Sequence, residues 1–345
     1  MNLCCSLPPS IHRHRNPSAS MASLLCLKKT IILPTEPTGK FRRDQCVSDH
    51  SSDNHPPFPL LQLTPKTDKK AIFILGSSGT GKSKLAVTLA LRFAGEIINS
   101  DKMQVYDDLH IITNKIKPEE RFNVPHHLLG GVNPDSEFTA VDFRQKSAAS
   151  VQEISARGHL PIVAGGSNSY IKEMVAGDNG LLDRGYQCCF IWVDADGKAL
   201  EEFVSERVEK MVEEGLVEEA RAMFKPEADY SKGVRKAIGL PEMESYFRRQ
   251  GNADEMERAA VLAEAIGAIK ENTCRLTRRQ REKIGRFEAE EGWRLNRVDA
   301  TAALMRRREA SAAEELWEKM VVEPSVDVVK KFVGGVGGHT ITVDQ

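Results

Sequence analysis

Residues 71–85 read AIFILGSSGTGKSKL. A short apolar run ends at Gly76, and from there to Gly81 the chain carries only small or hydroxyl side chains before Lys82 and Ser83. The stretch fits G-x-x-x-x-G-K-[ST]. With no bulky groups in the way, the backbone amides of Gly76, Ser77, Ser78, Gly79, Thr80, Gly81, Lys82 and Ser83 can turn inward around phosphate oxygens. Lys82 adds a point charge, Ser83 offers a hydroxyl to Mg²⁺, and the following helix presents its positive end. The flanks agree, since Ala71–Leu75 reads as a buried strand and Lys84–Phe93 as a helix. A phosphate or diphosphate is the expected ligand. A Gly/Ser turn that fits by chance is the plainer alternative.

Outward from the loop, strand-like runs recur at 96–100 (EIINS), 160–165 (LPIVAG) and 188–195 (CCFIWVDA), with helical stretches between them. This alternation predicts an α/β fold, a P-loop NTPase-like parallel sheet with flanking helices. In such sheets ligands gather at the carboxyl ends of the strands. Each run ends there in small or polar residues: Gly76, then Ser100 and Asp101, then Gly165 and Gly166, then Asp194.

Past Asp196 the pattern turns helical. In residues 203–224, Val204, Val208, Met211 and Val212 share one face, Gly215 interrupts or bends the helix, and Arg207 flanks the apolar stripe within reach of a cleft. A second long helix is expected from Met256 to about Phe287, Ala-rich at first and then basic, with Lys270, Arg275, Arg278, Arg279, Arg281, Lys283 and Arg286. Such a run is either a solvated face or a set of phosphate contacts. The expected division is an α/β core at 70–200, a mainly helical part completing the cleft at 201–330, and a flexible tail at 331–345.

Composition narrows the class. The 345 residues are 41% hydrophobic with a net charge of −1, so any basic site must be local. No apolar run approaches 18 residues, and no membrane association is expected. None of the seven cysteines forms a C-x-x-C pair, which argues against a zinc knuckle or a disulfide framework. Residues 1–69 differ from the rest: no acidic residue occurs up to Thr35, while Arg13, Arg15, Lys28, Lys29 and several serines do. That composition fits an organelle transit peptide, with a disordered leader as the alternative.

Asp101 separates the chemistries open to a phosphate loop. It lies just past a strand expected beside the loop strand, where its carboxylate can face whatever the loop holds, as base or Mg²⁺ ligand; capping the next helix is the structural alternative. The surrounding stretches then become specific: 76–93, EIINSDKMQVYDDLHIITNKIKPEER at 96–121, VPHHLLG at 124–130, FTAVDFRQKSA at 138–148, LPIVAGGSNSYI at 160–171, 204–221, GVRKAIGLPEM at 233–243 and IKENTCRLTRRQREKIGRF at 269–287. In this order the chain resembles the plant adenylate isopentenyltransferases, which begin cytokinin synthesis and are similar in core to the tRNA dimethylallyltransferases.

The resemblance implies that the loop holds the diphosphate of dimethylallyl diphosphate. Adenine N6 of ADP, ATP or AMP would then attack C1 of the dimethylallyl group and release diphosphate. Asp101 would accept the N6 proton, Ser78 would place a hydroxyl on the bridging oxygen, and Arg207 would close over the diphosphate. Lys82, the loop amides and Mg²⁺ at Ser83 would stabilise the leaving group. For the acceptor, Asn168 or Ser169 is expected at the base or a phosphate. Arg235 and Lys236, or the basic helix at Arg275–Arg279, would meet the nucleotide phosphates.

His126 and His127 lack neighbours at metal-ligand spacing, so no metal is expected there. Only residues 171–187 separate GGSNSY from the next strand, too few for the helical insertion of the tRNA enzymes, and no Cys/His finger follows Cys274. A free nucleotide is therefore expected rather than tRNA or DNA, with a plastid location and a monomeric enzyme. VDADGKAL at 193–200 departs from the family pattern and leaves that loop open. A small-metabolite kinase and a nucleotide switch are the readings from other classes; the switch lacks an N-K-x-D element.

Overall fold

The computed structural model describes residues 69–334 apart from residue 253. All but the last residue of the expected leader, and nearly all of the expected tail, lie outside them.

At the centre is β1 (Lys70–Leu75), buried along its whole length. It pairs with β4 (Leu160–Ala164) on one side and β5 (Gln187–Asp194) on the other, so that Ile72 stands between Ile162 and Cys189. Adding β2 (Gly95–Asn99), β3 (His126–His127) and β6 (Leu295–Asp299) gives a six-stranded sheet in the order β3-β2-β4-β1-β5-β6, with every pair parallel. Central parallel strands are covered on both faces, which is why β1 and β5 read as apolar runs and not as alternating ones.

One face is covered by α1 (Lys82–Phe93) through Leu85 and Leu89. The other is covered by α2 (Ala140–Ala156) and α3 (Asn168–Ala176) through Phe143, Val151, Ile171 and Met174. Beyond β5 come α4 (Gly197–Glu213) and α5 (Leu216–Met223), separated at Gly215, then α6 (Leu240–Arg249). The departure at VDADGKAL resolves into an ordinary helix start: Asp196 caps α4 by accepting from the Ala199 amide, a contact of about 1 kcal/mol.

The next helix, α7 (Glu255–Glu291), is 37 residues long, about 55 Å at 1.5 Å per residue. Its first half packs Val261, Ala265 and Ile269 among α4 and α6. Its second half packs Ile284 and Phe287 on the sheet, where Trp293 stacks on Phe190 with centroids 4.5 Å apart. Between these apolar stretches the buried stripe of α7 turns polar, at Thr273, Thr277 and Gln280.

Three elements differ from the expected outline. β3 is two residues long, below the length at which alternation can be read. β6 is an edge strand of mixed composition that returns from past residue 200 to join the sheet. The stretch 301–333 forms α8 (Thr301–Met305), α9 (Ala310–Trp317), a π-helical turn at Glu318–Val322 and α10 (Glu323–Val333), which pack Trp317, Val321 and Val329 on the α1 face. A helix thus runs to Val333, three residues into the expected tail.

At the amino end of β2, Glu96 is buried and ringed by one arginine and two histidines. Arg157 donates to both its oxygens at 3.1 and 2.7 Å, and His127 and His159 each pair with one oxygen at 2.7 Å. Burial alone would raise its pKa; the hydrogen bonds from Arg157, His127 and His159 outweigh that and hold it at about 2. His127 is spent here, and His126 pairs through Nδ1 with the carbonyl of Val124 at 2.8 Å.

Candidate active site

The carboxyl ends of β1, β2 and β4 bring the phosphate loop, Asp101 and the Gly165–Gly166 turn together. Gly81 adopts φ 88° to start α1, and a Cβ there would sit 2.4 Å from the Trp317 ring, so both backbone and packing require glycine. Lys82 directs Nζ onto the carbonyl of Ser77 at 2.7 Å, leaving two of its three protons to donate elsewhere. Burial lowers its pKa to about 8; the nearby charge of Asp101 pulls upward and that of Arg207 downward.

Arg207, half-buried on α4, donates from Nη2 to the Ser78 hydroxyl at 3.0 Å. Its Nε is buried with no partner among the described residues. Burial lowers its pKa to about 10, again against the pull of Asp101. The Ser78 hydroxyl accepts from Arg207 and keeps its own proton to give.

Asp101 holds its own loop, with Oδ1 accepting from the Met103 amide at 2.9 Å. Its other oxygen faces the Gly166 turn: a Cβ on Gly166 would lie 3.5 Å from Oδ2 and 2.5 Å from Nε2 of Gln280. A β-carbon at Gly165 would strike Ser100 at 2.4 Å. Asp101, Lys82 and Arg207 are thus close enough for their charges to act on one another, and the turn beside the carboxylate is kept bare.

Several expected contacts are assigned differently. Ser77 and Thr80 are buried, and both hydroxyls are spent on carbonyls, Ser77 on Thr277 at 2.9 Å and Thr80 on Ser77 at 3.0 Å. Ser77 can offer a ligand only its main-chain amide, and the Thr80 amide is engaged as well, donating to the Ser77 carbonyl at 3.3 Å. The Ser78 amide is not free for phosphate either, since it donates to Oε1 of Gln280 at 2.8 Å. Asn168 is off the cleft surface: it is buried and donates to the carbonyl of Gln280 at 3.0 Å, tying α3 to α7. Arg235 is buried too, its guanidinium committed to Asp135 and to the carbonyl of Met223, both at 2.7 Å.

Ser169 and Lys236 are exposed. Lys236 lies near Lys102, whose pKa is lowered by burial first, then by Lys236, with Asp101 opposing and Lys283 adding to the shift. Lys102, Lys236 and Lys283 therefore form a cationic rim beside Asp101. Along the basic helix, Arg275 pairs with Glu271 and Arg278 with Glu201, so much of that run is a solvated ion-paired face. Lys102 and Gln280 were missed by the motif reading; a glutamine in the buried stripe of α7 was the available sign of a polar partner.

The Ser83 hydroxyl opens into a cleft of about 270 Å³, open solvent included, beside Asn99, Gln104 and His126. Ser83 is exposed at the helix start, and its hydroxyl together with the oxygens of a bound anion would make an oxygen donor set that suits a hard cation. Among the described residues no group of three or more His, Cys, Asp or Glu could hold a metal ion, and no helix is long and apolar enough to cross a membrane.

Comparison with known proteins places the chain in a family. Residues 104–183 and 178–284 match the family described as IPP transferase. The chain is 48% identical over 277 residues to adenylate isopentenyltransferase 5, chloroplastic, of Arabidopsis thaliana, covering 78% of this chain and 82% of that protein. It is 45% identical over 271 residues to adenylate isopentenyltransferase 7, mitochondrial, of the same plant, covering 78% and 82%. Among solved structures, the full-length tRNA isopentenylpyrophosphate transferase of Bacillus halodurans aligns with a TM-score of 0.54 at 27% identity, covering 72% of this chain and 97% of that one. A eukaryotic dimethylallyltransferase acting on tRNA aligns with a TM-score of 0.64 at 21% identity, covering 79% and 81%, a likeness of fold.

Proposed function

Because the chain belongs to the IPP transferase family, we propose that it transfers the dimethylallyl group of dimethylallyl diphosphate to N6 of the adenine of ADP or ATP, with AMP as a further acceptor, releasing diphosphate in the first step of cytokinin synthesis. The observation that carries this reading is Asp101: one carboxylate oxygen turned to a bare glycine turn, within electrostatic reach of the two cations of the loop.

In this reading the diphosphate lies against the amides of Gly79, Gly81, Lys82 and Ser83, with Lys82, Arg207 and the Ser78 hydroxyl around its bridging and terminal oxygens. These donors meet more negative charge as the C1–O bond breaks, so they stabilise the transition state more than the bound donor. Asp101 orients the amino group and takes its proton as the N–C bond forms. Mg²⁺ held by Ser83 and the diphosphate oxygens would neutralise further charge on the leaving group. Lys102, Lys236 and Lys283 replace Arg235 as the residues facing the nucleotide phosphates, and Ser169 stands at the exposed start of α3. Residues 201–330 complete the cleft by supplying Arg207 and Lys236.

A free nucleotide is favoured over tRNA because α3 ends at Ala176 and β5 begins at Gln187, with no helix between them. The composition of residues 1–69 supports import into the plastid, with the mitochondrion as the second destination, and a monomer is proposed. Incubating the full chain with dimethylallyl diphosphate, Mg²⁺ and each adenine nucleotide in turn should yield a nucleotide heavier by one dimethylallyl group. Prenylation of tRNA alone, or a phosphorylated metabolite made at the expense of ATP, would refute the reading.

A further inference from the structure

Gln280 sits on the polar step of α7's buried stripe and is itself buried. Its carboxamide makes two bonds in opposite directions. Oε1 accepts from the amide of Ser78 in the phosphate loop at 2.8 Å, and Nε2 donates to the carbonyl of Gly166 at 2.9 Å. The backbone around it is pinned to the same two places. Thr277, one turn earlier, takes the Ser77 hydroxyl on its carbonyl at 2.9 Å, and the carbonyl of Gln280 takes the amide of Asn168 at 3.0 Å. One turn of α7 therefore joins the donor loop to the turn that abuts Asp101.

The choice of residue matters chemically. A carboxamide offers an acceptor and a donor on one rigid plane, so it can face an N–H on one side and a C=O on the other without carrying charge. Leucine could fill the volume but would leave both backbone groups buried and unpaired. Gly166 must also lack a side chain for this bridge to exist, because its Cβ would lie 2.5 Å from Nε2.

We propose that Gln280 is a positioning residue that sets the separation between the diphosphate loop and Asp101, and so the reach of the proton acceptor to the amine as that amine attacks C1. This rests on the prenyl transfer proposed above. Reaction rate depends steeply on such separations, and a displacement of about 1 Å costs on the order of 100-fold. Binding of the diphosphate draws chiefly on Lys82, Arg207 and the amides of Gly79, Gly81, Lys82 and Ser83, which the Gln280 side chain does not touch; its one contact with the binding set is the Ser78 amide, not the Ser78 hydroxyl.

The test is a double-mutant cycle between Gln280→Met and Asp101→Asn, with Gln280→Glu, which retains the acceptor for Ser78, as a second probe if the methionine variant does not fold. In single turnover with dimethylallyl diphosphate and ADP, Gln280→Met is expected to lower the rate on the order of 100-fold with donor affinity unchanged within about threefold. In the Asp101→Asn background the same change should cost no more than about threefold, because the separation it disturbs no longer serves a proton acceptor. Equal losses in both backgrounds, or a loss found only in donor affinity, would overturn the proposal while leaving the function standing. No prenylated product from the unmutated chain would overturn the function itself and this inference with it.

Discussion

Glu96 and Asp101 lie five residues apart on β2 and its exit, and the two ends of that strand treat a carboxylate in opposite ways. At the amino end Glu96 is enclosed, both oxygens are paired, and its partners Arg157, His127 and His159 hold its pKa at about 2. At the carboxyl end Asp101 gives one oxygen to its own loop and turns the other toward a bare glycine turn. The surrounding cations tell the same story. Arg157 is anchored by its carboxylate, whereas Lys82 and Arg207 are desolvated and pushed down to about 8 and 10. One end resolves its charges internally; the other holds them unresolved until an anion arrives.

The sharpest way to break the comparison is to remove each carboxylate's charge. Asp101→Asn keeps the shape and the Met103 bond, so nucleotide binding and melting temperature should hold while turnover falls on the order of 1,000-fold, as for a lost general base. Product mass per unit time reads this directly, and unchanged turnover would remove Asp101 as the base. Glu96→Ala should do the reverse: turnover per folded molecule is retained, and stability drops about 1–3 kcal/mol because Arg157, His127 and His159 lose their shared partner, discounted for the part-exposure of Arg157 and His159. Calorimetry should show a melting shift of about 2–4 °C for each kcal/mol. The sign with pH follows from the depressed pKa. The Glu96 contribution is present above the ordinary carboxylate pKa of 4.5 and is lost as pH falls toward 2, so the alanine variant and the parent should converge in stability in acid.

The two ends were not equally legible in the sequence. The loop, Asp101 and Arg207 could be read because their chemistry is local: glycines at fixed offsets, a carboxylate at a strand exit, an arginine on the flank of an apolar stripe. Glu96 could not, since its partners come from two other segments, at 127 and 157–159, that only the sheet order brings together. The same holds for Asn168 and Arg235. A polar residue near a motif looks the same in sequence whether it faces the cleft or donates to a carbonyl of α7 or α5, and here both do the latter. β3 and β6 escaped for a different reason, being too short or too mixed to carry a period.

Lys82 offers a finer test of the unresolved end. With its pKa near 8, the ammonium begins to discharge just above neutrality in the free enzyme; stability rises with pH through this window as it does for Glu96, but here the lowered pKa marks a cost and not a gain. Keeping Lys82 charged in the folded state costs stability below pH 8, and the cost is relieved as pH climbs from about 8 toward 10.5. Donor binding should therefore weaken as pH rises through 8, by about tenfold per unit once the lysine must be recharged to bind. Titration calorimetry of dimethylallyl diphosphate, with no acceptor present, should show proton uptake in that range and none at pH 6. In Asp101→Asn the opposing pull is gone, so the same transition should move to lower pH.

The smallest expected effect comes from behind the loop. Trp317, contributed by the last turn of α9, sits under Gly81, with Lys84 over its ring at 5.0 Å and its indole N–H buried without a partner among the described residues. The ring is thus a floor for the loop and has no hydrogen bond to lose. Trp317→Phe keeps an aromatic surface but withdraws ring atoms that lie nearest to where a Gly81 Cβ would stand. The amides of Gly81 and Lys82 then gain freedom that donor binding must remove. A cost of about 1 kcal/mol corresponds to a rise of about fivefold in the donor's dissociation constant, with turnover at saturating donor nearly unchanged, because the bound diphosphate restores the geometry. A fall in turnover at saturation would mean that the floor also shapes the transition state, and the stiffness of the active end would then extend as far as the C-terminal helices.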